Sequence, residues 1–170
     1  MKIKQFIPTG ACLKCQGCCR FKEVDSVWSP CLLDEEVLDL IDREGIPAAA
    51  LSIERRLQLV ASQGKEGFFC PFLKIEDNKC HIYSMRPFEC QLYPFLISLR
   101  DKKVLLTVDL NCSYIKDKLN TPEFKEYTDY LVKYLNSPEC LSILKENPQV
   151  LQAYEEVLDI VELKLDNDLK

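Results

Sequence analysis

The chain has 170 residues, 47% of them hydrophobic and 29% charged, with a formal net charge of −5. That length suits one domain with a substantial core, and the composition is that of a folded chain rather than a disordered one. The negative balance excludes a general nucleic-acid binder, which needs a basic face, and no run approaches the roughly 20 apolar residues of a membrane span.

Ten cysteines are the anomaly. Residues 1–8 show no apolar segment followed by a small-residue cleavage site, so the expected location is cytoplasmic. Thiols stay reduced there, which favours metal ligation over a disulfide framework for cysteines that cluster.

In chain order, residues 1–28 are expected as a loop-rich opening around Cys12-Leu13-Lys14-Cys15-Gln16-Gly17-Cys18-Cys19, with Phe21, Val24, Val27 and Trp28 leading into the interior. Residues 1–22 hold Lys2, Lys4, Lys14, Arg20 and Lys22 and no acid, and cations beside thiolates favour the ionised sulfur. Asp34 is a helix N-cap for 35–44, where Val37, Leu38 and Ile41 form an apolar stripe and Gly45 suits the C-terminus. A second helix is expected over 52–62, with Ile53, Leu57 and Val60 inward.

From Phe68 to Cys112 the pattern becomes compact and irregular. Phe72–Ile75 and Cys80–Tyr83 flank the turn signal Asp77-Asn78 and predict a short hairpin. Pro94–Leu99 and Lys103–Leu110 predict a second one, because Val104, Leu106 and Val108 alternate with period two. Three helix starts follow, each a capping residue before proline: Thr121-Pro122, Ser137-Pro138 and Asn147-Pro148. Phe124, Tyr127, Leu131 and Leu135 give the first an apolar face. Leu151, Tyr154, Val157, Leu158, Val161 and Leu165 do so for the last, whose other side is acidic through Glu155, Glu156, Asp159, Glu162, Asp166 and Asp168.

The thiols fall into two groups of four. The first reads C-x-x-C-x-x-C-C; the second is Cys70, Cys80 and Cys90, with nine residues in each interval, then Cys112. Adjacent side chains on extended backbone point to opposite sides, so Cys18 and Cys19 serve different centres or different atoms of one cluster. On that basis Cys12, Cys15 and Cys18 take three corners of one centre, a later cysteine takes the fourth, and Cys19 faces the remaining thiols. The C-x-x-C-x-x-C run matches three corners of a four-iron four-sulfur site, and zinc accepts any tetrahedral set of thiolates. Cys31 and Cys140 stand outside both groups, and core packing is the expectation for each.

CLKCQGCC, CPFL, CHIYSMRPFECQLYP and the later Cys112 together resemble the YkgJ-like, CxxCxxCC cysteine-cluster family of zinc- or iron-chelating domain proteins. The resemblance covers about Cys12 to Cys112. It implies metal chelation by Cys12, Cys15, Cys18, Cys19, Cys70, Cys80, Cys90 and Cys112, although Ser113-Tyr114 follow Cys112 where many members have Pro-Gly. One branch is the flagellin lysine N-methylase, which raises methyl transfer to protein lysines as an inherited activity. The chain has no G-x-G-x-x-G after a strand and no C-x-x-x-C-x-x-C, so nothing in its residues supports a nucleotide-like cofactor independently. Around the centre, Arg86 is expected to direct its guanidinium toward sulfur or carbonyl groups, Pro87 to fix the turn that aims Cys90 inward, and Tyr83 and Tyr93 to donate hydrogen bonds or pack. His81 is expected exposed or hydrogen-bonded.

The resulting expectation is an α-rich α+β domain over 1–170. Its metal-binding region, residues 12–112, is a hairpin-containing centre wrapped by about five helices, with C-terminal helices over 121–168. It would hold a four-iron four-sulfur cluster by preference or zinc as the alternative. The competing functions are a non-catalytic zinc-stapled module that binds a protein partner and a lysine N-methylase-like enzyme.

Overall fold

A computed structural model of the chain describes residues 2–15, 17–62, 64 and 66–165. Gln16 of the thiol run, and Asp166 and Asp168 of the expected acidic helix, lie outside the described residues. The fold is α+β: the described residues form six α-helices and three small antiparallel sheets. The chain divides into two compact units, Met1–Gln91 and Leu92–Lys170.

In the first unit, the expected loop contains a helix, α1 (Thr9–Lys14), which starts after Pro8 and turns extended at Cys15. β1 (Arg20–Phe21) follows, but Val24 and Val27, expected inside, are exposed. α2 (Asp34–Glu44) forms as expected and ends at Gly45, whose φ of 64° is the left-handed geometry glycine adopts without penalty. Leu33 rather than Asp34 holds the cap position. Its N–H donates to the Glu36 carboxylate three residues on. Leu40 is the fully buried position of α2, and Leu38 faces solvent.

The helix expected over 52–62 does not form. Ser52–Arg55 is a turn, with Arg55 at a φ of 60°, and the chain then runs antiparallel to 30–32. Leu57 N–H donates to Pro30 O, and Leu32 N–H to Arg55 O, both at 3.0 Å. The Arg56 guanidinium adds bonds to the carbonyls of Val27 and Ser29. These long-range partners satisfy the backbone in place of helical bonds, so tertiary pairing overrides local pattern. Ile53, expected inward, is 99% exposed at the turn tip, Val60 is exposed, and Leu57 is buried as expected.

β2 (Val60–Ala61) and β3 (Phe68–Phe69) then build a three-stranded sheet in the order β1-β3-β2. Gly67 allows it: at its φ of 104° an added Cβ would lie 2.9 Å from the Phe21 carbonyl oxygen. The first hairpin is present but shorter than expected, β4 (Leu73–Lys74) against β5 (Lys79–Cys80). A 3-10 turn at Tyr83–Met85 leads to α3 (Phe88–Leu92). Leu32, Leu40, Leu57, Cys70, Leu73 and Ile82 form the core, with Cys19, Phe21 and Cys80 packed against it.

In the second unit, β6 (Phe95–Arg100) and β7 (Lys103–Asp109) make the expected hairpin in full register. Asp101 and Lys102 both take positive φ, 49° and 65°, the pairing whose twist matches a two-residue β-turn. Val104, Leu106 and Val108 are buried, as period two requires. α4 (Ser113–Lys116) is a short turn of helix. α5 (Pro122–Leu135) and α6 (Pro138–Glu146) begin where the capping residues place them, with Thr121 and Ser137 each accepting a backbone N–H. Phe95 stacks on Phe124 at 5.6 Å between centroids and lies tilted against Tyr127 at 5.4 Å.

The third C-terminal helix is overturned. Only a 3-10 turn, Pro148–Val150, follows Asn147, and residues 157–162 form β8 (Val157–Glu162) on the free side of β7. The Asn147 side chain donates backward to the Ile143 carbonyl, closing α6 instead of opening a new helix. Glu156 at a φ of 57° then breaks any helical run. Lys103 and Arg100 pair with Glu162 and Asp159 across the sheet. Leu151, Tyr154 and Leu165 are buried as the helical reading required, whereas Leu158 and Val161 are exposed.

Candidate metal centre

Local structure accounts for how the first group of thiols is displayed. Cys12 sits on α1, and the Cys15 N–H returns to the carbonyls of Ala11 and Cys12 as the helix ends. A turn from Gly17 to Arg20, closed by a 2.9 Å bond, then presents Cys18 and Cys19. The Cys19 carbonyl accepts the Cys70 N–H at 3.0 Å, so the β1–β3 pairing carries the second group to the first. Cys70 O accepts from Leu73 N–H, and Leu73 lies opposite Cys80 in the β4–β5 hairpin. Cys90 rides on α3, whose first turn is closed by Gln91 N–H on the Pro87 carbonyl.

The loop is latched by a residue that spacing arguments miss. Asn78, in the β4–β5 turn at a φ of 56°, donates its side-chain amide to Leu13 O at 3.1 Å and to Cys15 O. Its Oδ1 accepts from Arg20 at 2.7 Å. The sequence marks Asn78 as a turn residue, but its partners are 58 to 65 positions away, and nothing local announces them.

The thiols act on one another electrostatically. The Cys18 thiol is pushed up, first by its hydrogen bond to Cys19, then by burial and by the neighbouring sulfurs of Cys19, Cys90 and Cys12. Cys19 is pulled down to about 7, first by that same bond from Cys18, and then by the Arg20 and Arg86 guanidiniums against the opposing effect of burial. Cys70 is pushed up to about 12 by burial, with Cys19 and Cys80 adding to the effect. Cys80 is raised by burial and by Cys19, against Arg86. Cys90 is raised strongly by burial, then by Cys70, Cys19, Glu89 and Cys80. Cys19 is the thiol whose charge acts on four others, Cys18, Cys70, Cys80 and Cys90, and Cys19, Cys70 and Cys80 share one packed core.

Among the described residues, no three His, Cys, Asp or Glu side chains already close on one point as ligands of a single ion. Cys15 is tied to the loop through its backbone. Cys112 belongs to the second unit, where it is buried at the start of α4 with its N–H on Asp109 O.

The Arg86 guanidinium lies over the Tyr83 ring at 4.1 Å and donates to Gln5 Oε1 at 2.7 Å. The Tyr83 hydroxyl pairs with Thr9 at 3.0 Å, and Tyr93 gives its hydroxyl to Asp109 at 2.8 Å. His81 is exposed. Cys31 is buried apart from the cluster. Its thiol donates to Glu54 O and its N–H to Glu89, and burial followed by the Glu89 charge pushes it up to about 12. Cys140 is likewise buried, and burial pushes it up to about 12.

The donor set is chemically suited to a thiophilic centre. Soft sulfurs dominate and the Arg20 and Arg86 guanidiniums offset thiolate charge at Cys19, which suits a thiophilic metal rather than the oxygen-seeking calcium or magnesium. Cys12, Cys15, Cys18, Cys19, Cys70, Cys80 and Cys90 are the residues of the first unit that would hold it.

Residues 11–157 match a family model named CxxCxxCC and described as "Putative zinc- or iron-chelating domain". Among curated proteins, the chain is 34% identical over 76 residues to the Methanocaldococcus jannaschii protein called Uncharacterized protein MJ0661. The aligned part is 41% of this chain and 42% of that one, so the chain spans less than half the length of that relative. No solved structure matches significantly. Among the described residues, no helix is long and apolar enough to cross a membrane.

Proposed function

Because the chain belongs to the CxxCxxCC family of zinc- or iron-chelating domains, we propose that its cysteines bind metal as a thiolate centre, with a four-iron four-sulfur cluster as the preferred occupant. The observation that supports this reading is geometric: the Cys19 carbonyl takes the Cys70 N–H at 3.0 Å, and Cys19, Cys70 and Cys80 pack in one core, with the Arg20 and Arg86 charges acting on Cys19. Two features favour a cluster over a single zinc ion. The C-x-x-C-x-x-C run has the spacing of cluster ligands, and the chain lacks the two separated C-x-x-C knuckles usual for structural zinc. Such a centre needs reduced thiols, so we place the protein in the cytoplasm.

Purification without oxygen, followed by iron, acid-labile sulfide and zinc analysis, tests the reading. Brown protein with iron and sulfide in equal amounts is the expected result. Colourless protein with stoichiometric zinc replaces the cluster by a zinc centre, and protein without either metal overturns chelation altogether. Cys15→Ser and Cys80→Ser should each release metal, and full retention in either variant removes that residue from the ligand set.

A further inference from the structure

Arg86 holds a feature that the fold alone does not explain. Its Nε is buried and has no hydrogen-bond partner, although the rest of the guanidinium is fixed: the face lies on Tyr83 at 4.1 Å, and one terminal nitrogen donates to Gln5 at 2.7 Å. Gln5 is itself held in place, since its amide donates to the carbonyls of Ile3 and Gln91. The segment beneath is closed as well, because the Gln91 side chain donates to Arg86 O at 2.7 Å. With the ring contact and the Gln5 bond setting the guanidinium plane, the direction of the Nε–H is set too. The remaining neighbours that feel its charge are the Cys19 and Cys80 sulfurs. No carboxylate among the described residues pairs with this guanidinium.

A buried donor with nothing to donate to is unfavourable, and it persists where an acceptor arrives later. We propose that Arg86 is a positioning residue that gives its Nε–H to an anionic sulfur of the loaded centre, so that the bound group is one carrying net negative charge. This rests on the thiolate-centre reading above and specifies the charge of what that centre holds. A divalent ion with four thiolates carries such a charge, as does a four-iron four-sulfur cluster with four thiolates. A planar, permanently charged guanidinium suits the role in a way lysine does not, because its N–H vectors are preset. Hydrogen bonds to ligand atoms tune affinity without contacting the metal.

Zinc is the probe, since it accepts any tetrahedral set of thiolates the fold supplies. Full-length parent, Arg86→Lys and Arg86→Gln are titrated with zinc against a competing chelator, and the arginine Nε–H resonance is followed by nitrogen-15 NMR and assigned by its loss in Arg86→Lys. The expected result is an affinity about 10- to 100-fold weaker in Arg86→Gln, an intermediate value for Arg86→Lys, and in the parent a downfield move with slower water exchange of the Nε–H on loading. A folded Arg86→Gln that holds zinc as tightly as the parent overturns the proposal. Where Arg86→Gln does not fold, the parent's resonance decides, and an Nε–H that stays unmoved on loading overturns it. Parent protein that takes up neither zinc nor, on anaerobic reconstitution, iron and sulfide removes the thiolate-centre reading and this one together, whereas uptake of either with an unmoved resonance removes this one alone.

Discussion

Replacing Asn78 by glycine removes one hydrogen bond to the Arg20 guanidinium and two to the Leu13 and Cys15 carbonyls while leaving the turn's backbone unstrained. Each such bond contributes about 0.5–1.5 kcal/mol net, so the three together put the loss at about 3 kcal/mol, a large share of the roughly 5–15 kcal/mol that holds a domain folded. Asn78→Ala should lose about 1 kcal/mol more, because an alanine at a φ of 56° is strained where glycine is not. Asn78→Asp keeps an acceptor for Arg20 but faces two carbonyls with a carboxylate, so the thiol loop loosens while the hairpin survives. Urea unfolding of metal-free, reduced protein measures the stabilities. Timed alkylation with mass spectrometry measures the loop, with Cys12 and Cys15 expected to label faster and the buried Cys31 and Cys140 unchanged. If Asn78→Gly stays within about 0.5 kcal/mol of the parent and its labelling pattern is the same, the latch has no energetic content and the reasoning fails.

Cys31→Ser and Cys140→Ser should keep full metal, since both thiols lie outside the cluster, while Cys19→Ser should lose it; elemental analysis decides, and metal loss from Cys31→Ser would place that sulfur in the centre. Burial pushes the Glu36 carboxyl up to about 7 against the N–H groups of Leu33 and Phe88. Because the folded state holds that proton to higher pH than the unfolded chain, its contribution is complete below about 4.5 and disappears as pH rises through about 7. Urea midpoints from pH 5 to 8 should fall more steeply in the parent than in Glu36→Gln, and parallel profiles would refute the assignment. Lys102→Gly should stabilise the second hairpin by about 1 kcal/mol, because lysine at a φ of 65° is strained there; a lower melting temperature would count against it. Thr121→Ala should cost about 1 kcal/mol through loss of the cap on the Phe124 N–H, read by thermal unfolding.

What could be read from the sequence was what short-range chemistry decides. The β6–β7 hairpin announces itself through alternation and a tight turn, and α5 and α6 through a capping residue followed by proline, all within a few positions of where they act. The failures have one origin. Residues 52–62 carry apolar spacing that fits a helix, but they are held by Pro30 and Leu32, and residues 157–162 fit a helix equally well until β7 offers an unpaired side. A local pattern cannot weigh a partner that lies 23 to 57 residues away. The candidate centre divides in the same manner. Cysteine spacing picks out the sulfurs because ligand chemistry limits what else they can be, whereas Asn78 looks like any turn asparagine until its amide is seen on the Leu13 and Cys15 carbonyls.

The first few residues hold a further lesson for handling the protein. Ile3 N–H donates to the Gln91 side chain and Gln5 bridges Gln91 to Arg86, so this short strap braces the guanidinium like a guy-rope rather than trailing as a tail. Trimming the chain back to Pro8 therefore amounts to an indirect mutation of Arg86, and an affinity handle fused directly ahead of Ile3 pulls on the same brace.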